Sequence, residues 1–255
     1  MRAQKKQPVV FFCLAIMIAL LLATSAEAQK PIKLVCDIWP PYQIKTETGV
    51  SGFSVEVVQA VYKQMGVPTG TIRAYPWKRA MAMLKHGDAQ ALFSANFTLD
   101  RQTFAYYPSE VLIESPWVIW TKNSNTVNSL NDLKGKTIGV VSGYSYTPKF
   151  WNFIKSHCTV ANVNSDRANF KKLSAGRIDA TVAEYGNGLH LVAELKDNTL
   201  TPNQAVTIKL DGLYLIFNRK NTTEKFVKDF SSALIKFKKT DAHAKLWGKY
   251  FNPTQ

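Results

Sequence analysis

The chain has 255 residues, of which 46% are hydrophobic, 12% aromatic and 20% charged, a composition that excludes a disordered or collagen-like protein. Lys plus Arg number 32 against 18 Asp plus Glu, giving a formal charge of +14. The mean hydropathy of −0.13 excludes a multi-span membrane protein.

The first element is a leader. Arg2, Lys5 and Lys6 form a basic start, Val9 to Leu22 is almost wholly apolar, and Ala26-Glu27-Ala28 places small residues where signal peptidase cuts. The segment Met1 to Ala28 therefore reads as a cleavable signal peptide. An uncleaved anchor is the competing reading, but the apolar run is shorter than the ~20 residues a spanning helix needs. Cys13 lies inside the apolar run, so it is not a lipoprotein cysteine. Removing residues 1–28 takes away three bases and one acid, leaving a net +12 on the remainder. Such an excess suits a nucleic acid, an anionic membrane or simple solubility. The lysines are scattered, with clusters only at Lys171-Lys172 and around Lys236 to Lys239, which favours a solvated basic surface and no nucleic-acid partner.

Beyond the leader, strands and helices alternate. Ile32 to Ile38 is a strand that Trp39-Pro40-Pro41-Tyr42 ends, because the prolines remove donors and force the chain out of a sheet. Phe53, Val57, Val58, Val61 and Met65 recur at helical spacing up to Gly66 and Pro68. A strand at Thr71 to Tyr75, a helix at Trp77 to Leu84 and a buried strand at Ala89 to Ala95 complete a β-α-β-α-β unit. After an aromatic strand at Leu112 to Thr121 and a polar stretch to Lys136, the order repeats: strand 137–141, a helix opened by Ser145 as N-cap, strand 159–163, helix 170–175, strand 178–183 and helix 189–195. Two strands, 205–210 and 213–218, separated by Asp211-Gly212, and two helices near 224–238 and 241–250 close the chain. This predicts an α/β protein of two lobes, each a mostly parallel sheet flanked by helices. Ligands of open α/β sheets bind outside the carboxyl ends of the strands, here between the lobes.

Known catalytic patterns are missing. There is no G-x-S-x-G elbow, Walker loop, G-x-G-x-x-G or H-E-x-x-H, and His86, His157, His190 and His243 sit in helix contexts. No metal site, catalytic residue or cofactor is expected. Cys36 and Cys158 either pair in an oxidising compartment or remain free thiols. The informative stretch is Asp88 to Pro108, where a buried strand runs into Ser94, Asn96, Thr98 and Arg101. A planar guanidinium with neighbouring donors makes an anion receptor, although a surface Arg capping a turn fits the same residues.

W-P-P-Y at Trp39 to Tyr42, the set Gly49, Gly52, Phe53 and Glu56, P-W-x-x-A-M-x-M-L at Pro76 to Leu84, G-D-A at Gly87 to Ala89, T-L-D-R at Thr98 to Arg101, L-K-G-K-T-I-G-V-V-S-G at Leu133 to Gly143 and L-S-A-G-R-I-D-A at Leu173 to Ala180 occur in one order. Together these motifs resemble the extracellular solute-binding proteins of family 3, the periplasmic polar amino acid receptors of ABC importers. The resemblance implies the two-lobed type II periplasmic binding protein fold, with lobe 1 at 29–121 and 212–255, lobe 2 at 122–211, and crossings near Trp120 to Asn125 and Lys209 to Tyr214. It implies a monomer in the periplasm that binds an amino acid-like ligand and an inner-membrane ABC permease. By the same resemblance Arg101 clamps a ligand carboxylate, with Ser94 and Asn96 beside it and Ser145 donating from the second lobe. Glu184 stands where the family often has an Asp for the ligand ammonium. Trp39 covers the ligand, with Trp77, Tyr42, Phe97 and Trp117 as further aromatic candidates, and Asp37 is placed to receive a cationic side chain or to turn away. Two alternatives share this fold: a dehydratase acting on prephenate-like acids with Glu184 as its acid, and a sensor that reports a ligand without importing it.

Overall fold

The structure is a computed structural model that describes residues 32–122 and 126–251. The expected signal peptide lies outside the described residues.

The first unit starts with β1 (Ile32–Cys36), in which only Lys33 is exposed. A small antiparallel pair follows, β2 (Ile44–Lys45) and β3 (Val50–Ser51). Helix α1 (Phe53–Met65) buries Phe53, Val57, Val58, Val61 and Tyr62, and Gly66 ends it at φ 69. Glycine meets that left-handed requirement without a Cβ penalty. Next come β4 (Thr69–Ala74), α2 (Trp77–His86), β5 (Ala91–Ala95), the short α3 (Leu99–Gln102) and β6 (Ala105–Tyr106).

The long strand β7 (Ile113–Lys122) leads into the second unit: a 3-10 turn at Leu130–Leu133, β8 (Thr137–Val141), α4 (Pro148–His157), β9 (Thr159–Val163), α5 (Asp166–Ser174), β10 (Ala180–Glu184) and α6 (Tyr185–Leu195). The chain returns along β11 (Leu200–Asn218) and closes with α7 (Glu224–Lys238) and α8 (Asp241–Phe251).

The sheet order is β4-β1-β5-β11-β7-β10-β8-β9. Strand β1 is parallel to β4 and β5, and β8 is parallel to β9 and β10. Between these two parallel groups run β7 and β11, antiparallel to one another and to their outer neighbours. Tyr214 to Phe217 of β11 pair with β5, whereas Trp117 to Thr121 of β7 pair with β10. Residues 117–121, which the sequence assigns to the first unit, are thus hydrogen-bonded to the second.

Each group has helices on both faces. Phe53 and Tyr62 of α1 pack with Phe230 and Leu234 of α7 on one side of the first sheet, and Trp77, Ala80 and Leu84 of α2 meet Val35, Leu92 and Ile216 on the other. In the second group Phe150 and Ile154 of α4 cover Ile138 and Val140, while Phe170, Leu173 and Leu191 cover Trp120 and Val118. Burial of a side chain of this size contributes about 1.5–3 kcal/mol.

Two local expectations are corrected. The two strands expected at 205–210 and 213–218 are one strand, because Asp211 pairs with Ser115 and Gly212 with Glu114 on β7. Asp-Gly is a hairpin signal only where no long partner strand lies alongside. The N-cap of α4 is Thr147, not Ser145: its Oγ1 accepts the N–H of Phe150, and Pro148 takes the first helical position. That shift frees the Ser145 hydroxyl. Cys36 is buried on β1, Cys158 follows α4, and both are free thiols.

Candidate functional site

The carboxyl ends of the two parallel groups face each other. Asp37 and Trp39 follow β1, Ser94 and Asn96 end and follow β5, and Arg101 lies on α3, whose N-cap Thr98 accepts the Arg101 N–H at 3.2 Å. Tyr144 and Ser145 follow β8 in the second lobe. Asp37, Trp39, Trp77, Ser94, Asn96, Arg101, Trp117, Tyr144 and Ser145 line one narrow cleft. Six of the seven site residues expected from the sequence are therefore brought together, the exception being Glu184.

Arg101 is 7% exposed. Its Nη1 donates to the Asn96 carbonyl at 2.9 Å, its Nη2 to the Gly143 carbonyl at 3.5 Å, and its guanidinium lies 5.3 Å from the Trp77 ring centroid. Burial lowers its pKa, opposed by Tyr107 and by the Asp100 and Asp211 carboxylates. Ser145 Oγ donates to Asn96 Oδ1 at 3.4 Å, so the two carboxylate donors expected from opposite lobes already touch. Ser94 holds φ 54, and its hydroxyl accepts from Gln43 Nε2 at 2.6 Å.

Lys209, on β11, was not singled out in the sequence. Its Nζ donates to the Ser145 carbonyl and to Asp211 at 3.2 Å, and it sits 4.6 Å from the Trp117 ring centroid. Burial lowers it to about 8, with Asp211 pushing up and Arg101 pushing down. Lys209 is thus ion-paired with Asp211 behind Ser145 and Trp117, and Arg101 is the cation among the residues lining the cleft.

The aromatic walls are Trp39, stacked on Trp117 at 5.9 Å, and Tyr144, edge-on to Trp77 and Trp117 at 5.8 and 5.7 Å. Tyr42 is buried behind them, and Phe97 is exposed against Tyr107, so neither expected aromatic lines the cleft. Trp117 Nε1 is buried without an acceptor.

Glu184 is fully buried and caps α6. Its Oε1 accepts the Gly186 N–H at 2.8 Å and its Oε2 the Asn187 N–H at 2.7 Å, while the Ser115 and Tyr42 hydroxyls bond to the same carboxyl. Burial raises its pKa and these donors lower it again.

Several bonds join the lobes. Trp77 Nε1 donates to the Gly143 carbonyl at 3.0 Å, Trp39 Nε1 to Asp166 Oδ2 at 2.8 Å, and the Tyr144 hydroxyl to Asp37 Oδ2 at 3.2 Å. Gly143, at φ 85, permits this approach: a Cβ there would lie 3.2 Å from Lys78 Cγ and 3.3 Å from Trp77 Cδ1. Only ≈ 10 Å³ between these residues admits the centre of a water, room for about one molecule and for nothing larger in this arrangement. Asp37 also lines a wider groove of ≈ 770 Å³ with residues 45–50, 72–76 and 164–165.

Over residues 32–253 the chain matches the family described as bacterial extracellular solute-binding proteins, family 3. The L-cystine-binding protein TcyJ of Escherichia coli K12 is 24% identical over 216 residues, which cover 84% of this chain and 79% of that one. Among solved structures, an ancestral arginine-binding protein bound to arginine superposes with a TM-score of 0.77 at 21% identity, covering 88% of this chain and 99% of the other. The ancestral amino acid-binding protein AncCDT-1, a precursor of cyclohexadienyl dehydratase, gives 0.74 at 18% identity, with 91% and 99% covered. These neighbours carry the two-lobed α/β fold that the sheet order describes, and the chain belongs to the bacterial extracellular solute-binding proteins, family 3.

Proposed function

We propose that this protein captures a polar amino acid or related carboxylate in the interlobe cleft and presents it to an ABC importer. The observation that carries the reading is the Arg101 guanidinium, buried at the cleft beside Asn96 of its own lobe and Ser145 of the other. A desolvated guanidinium fork with hydroxyl and amide donors around it matches a carboxylate. The relatives support this, being named for L-cystine and for arginine.

The lobes in this reading are 32–112 with 214–251, and 117–209, with the hinge on 113–116 of β7 and 210–213 of β11. There the two strands pair only with each other before each joins a different parallel group. A ligand held by Arg101 from one side and Ser145 from the other favours the closed state because it gains contacts only there. Met1 to Ala28 would direct the chain to the periplasm, where it acts as a monomer. A dehydratase with Glu184 as its acid is disfavoured, since that carboxyl is held by the N–H groups of α6 and two hydroxyls.

The test is a thermal-shift screen of the purified protein against amino acids including cystine, polyamines, dicarboxylates and prephenate-like acids. A shift with one group of amino acids is expected. A shift with a cyclic carboxylic acid and with no amino acid would move the assignment to an enzyme.

A further inference from the structure

The carboxyl that the family resemblance offers to a ligand ammonium has no acceptor site left to give. An ionised carboxylate has about four such sites. Four donors reach Glu184: the Gly186 and Asn187 N–H groups and the hydroxyls of Ser115 and Tyr42. Tyr42 belongs to the first lobe and Ser115 to β7, so the protein itself makes the bonds to this group that a ligand would otherwise make. Glu184 is fully buried and is not among the residues lining the cleft.

The acceptors beside Arg101 are engaged as well. The Asn96 carbonyl accepts from Arg101 Nη1 and the Tyr107 hydroxyl, the Gly143 carbonyl from Trp77 Nε1 and Arg101 Nη2, and the Ser145 carbonyl from Lys209 Nζ. Asn96 Oδ1 accepts from the Ser145 hydroxyl, and Ser94 Oγ from Gln43 Nε2. Among the described residues Asp37 is the one acid lining the cleft, and its Oδ2 accepts from the Tyr144 hydroxyl. The carboxylates that act on Arg101 are those of Asp100 and Asp211, not Asp37. Asp100 is exposed, Asp211 pairs with Lys209, and neither lines the cleft. Donors, by contrast, are in surplus. Trp117 lines the cleft with its Nε1 buried and without an acceptor, a cost that a ligand oxygen would relieve.

An α-amino acid whose carboxylate meets Arg101 carries its ammonium on the adjacent carbon, in the same part of the cleft. There the ammonium would lose its water beside a like-charged guanidinium, among acceptors already bonded, which disfavours it. A carboxylate without that group brings only acceptors and a stem. These match Arg101, the spare Trp117 donor and the rings of Trp39 and Tyr144.

We propose that the cleft reads the carboxylate and the side chain of its ligand but not an α-ammonium, so that carboxylates lacking an α-ammonium are its substrate class and bind at least as tightly as the matching amino acids. The proposal rests on the capture reading above and narrows its substrate class.

The experiment is calorimetric titration of the purified protein with three pairs that differ only in the α-ammonium: L-phenylalanine against 3-phenylpropionate, L-glutamate against glutarate, and L-lysine against 6-aminohexanoate. In every pair that binds at pH 7, the member without the α-ammonium is expected to bind at least as tightly. Glu184→Gln, which removes the charge at the family's ammonium position, is expected to leave the ratio within a pair unchanged to about 3-fold. An amino acid that binds more than about 3-fold tighter than its partner, or a ratio that moves by more than about 3-fold in Glu184→Gln, overturns the assignment and leaves ligand capture standing. Should Glu184→Gln not fold, the wild-type ratios decide on their own. A wild type that binds none of the six, and no amino acid or carboxylate in the thermal-shift screen, overturns the capture reading as well.

Discussion

Glu184→Ala separates a structural carboxylate from a ligand-binding one. In the structure the side chain accepts two N–H groups at the start of α6, at 2.8 and 2.7 Å, and bonds to the Ser115 and Tyr42 hydroxyls. Loss of an N-cap costs about 1 kcal/mol. Each buried hydroxyl left without a partner costs about 1–3 kcal/mol, reduced where a water enters the space. The sum is about 3 kcal/mol, and a chain of this size loses roughly 2–4 °C of Tm per kcal/mol, so Tm should fall by about 6–12 °C. Thermal unfolding without ligand measures this, and Glu184→Gln, which keeps one acceptor, should lose less. A Tm within about 2 °C of wild type, together with a selective loss of affinity for amines, would refute the capping argument and return Glu184 to the ligand.

Two further outcomes follow from the same geometry. Gly143→Ala places a non-glycine residue at φ 85 against Trp77 and Lys78, a cost of about 1–2 kcal/mol, so Tm should drop by about 2–8 °C, and an unchanged Tm would show that the turn relaxes freely. The carboxyl of Asp166 sits near 7 in the folded protein, above its ordinary value, so the folded state holds a proton there that the unfolded chain gives up. Its contribution is complete at low pH and is lost as pH rises toward and past 7. The Tm of Asp166→Asn relative to wild type should therefore rise between pH 5 and pH 8 in the absence of ligand, and a flat difference would mean that Asp166 titrates normally.

The lobes were legible because their elements follow from local chemistry. Apolar residues at helical spacing, glycine stops at Gly66 and Gly87, and uninterrupted apolar strands such as Ala91–Ala95 each specify one element, and their order specifies the fold. Asp211-Gly212 misled because a turn signal says nothing of a partner strand more than ninety residues away in sequence, against which both residues pair. Ser145 was read as a cap because it precedes a helix, although Pro148 fixes the cap at Thr147. Glu184 carried its own clue, since a Glu at a strand end directly before a helix can accept the N–H groups two and three residues on, here those of Gly186 and Asn187. Asp166 and Lys209 offered little signal. An acid after Ser165 reads as ordinary first-turn chemistry, and one more lysine in a basic chain draws no notice until the fold places it over Trp117.

The central claim is that Arg101 holds a ligand carboxylate between the lobes. Calorimetric titration of wild type and Arg101→Ala with the best amino acid from the thermal-shift screen tests it most directly. Removing a charge-assisted pair from a desolvated site should cost about 2–3 kcal/mol, a weakening of roughly 30- to 150-fold, with the folded protein retained. Arg101→Lys, which keeps the charge without the planar fork, should fall between the two. An Arg101→Ala protein that is folded and binds within about 3-fold of wild type would contradict the account and place the carboxylate elsewhere.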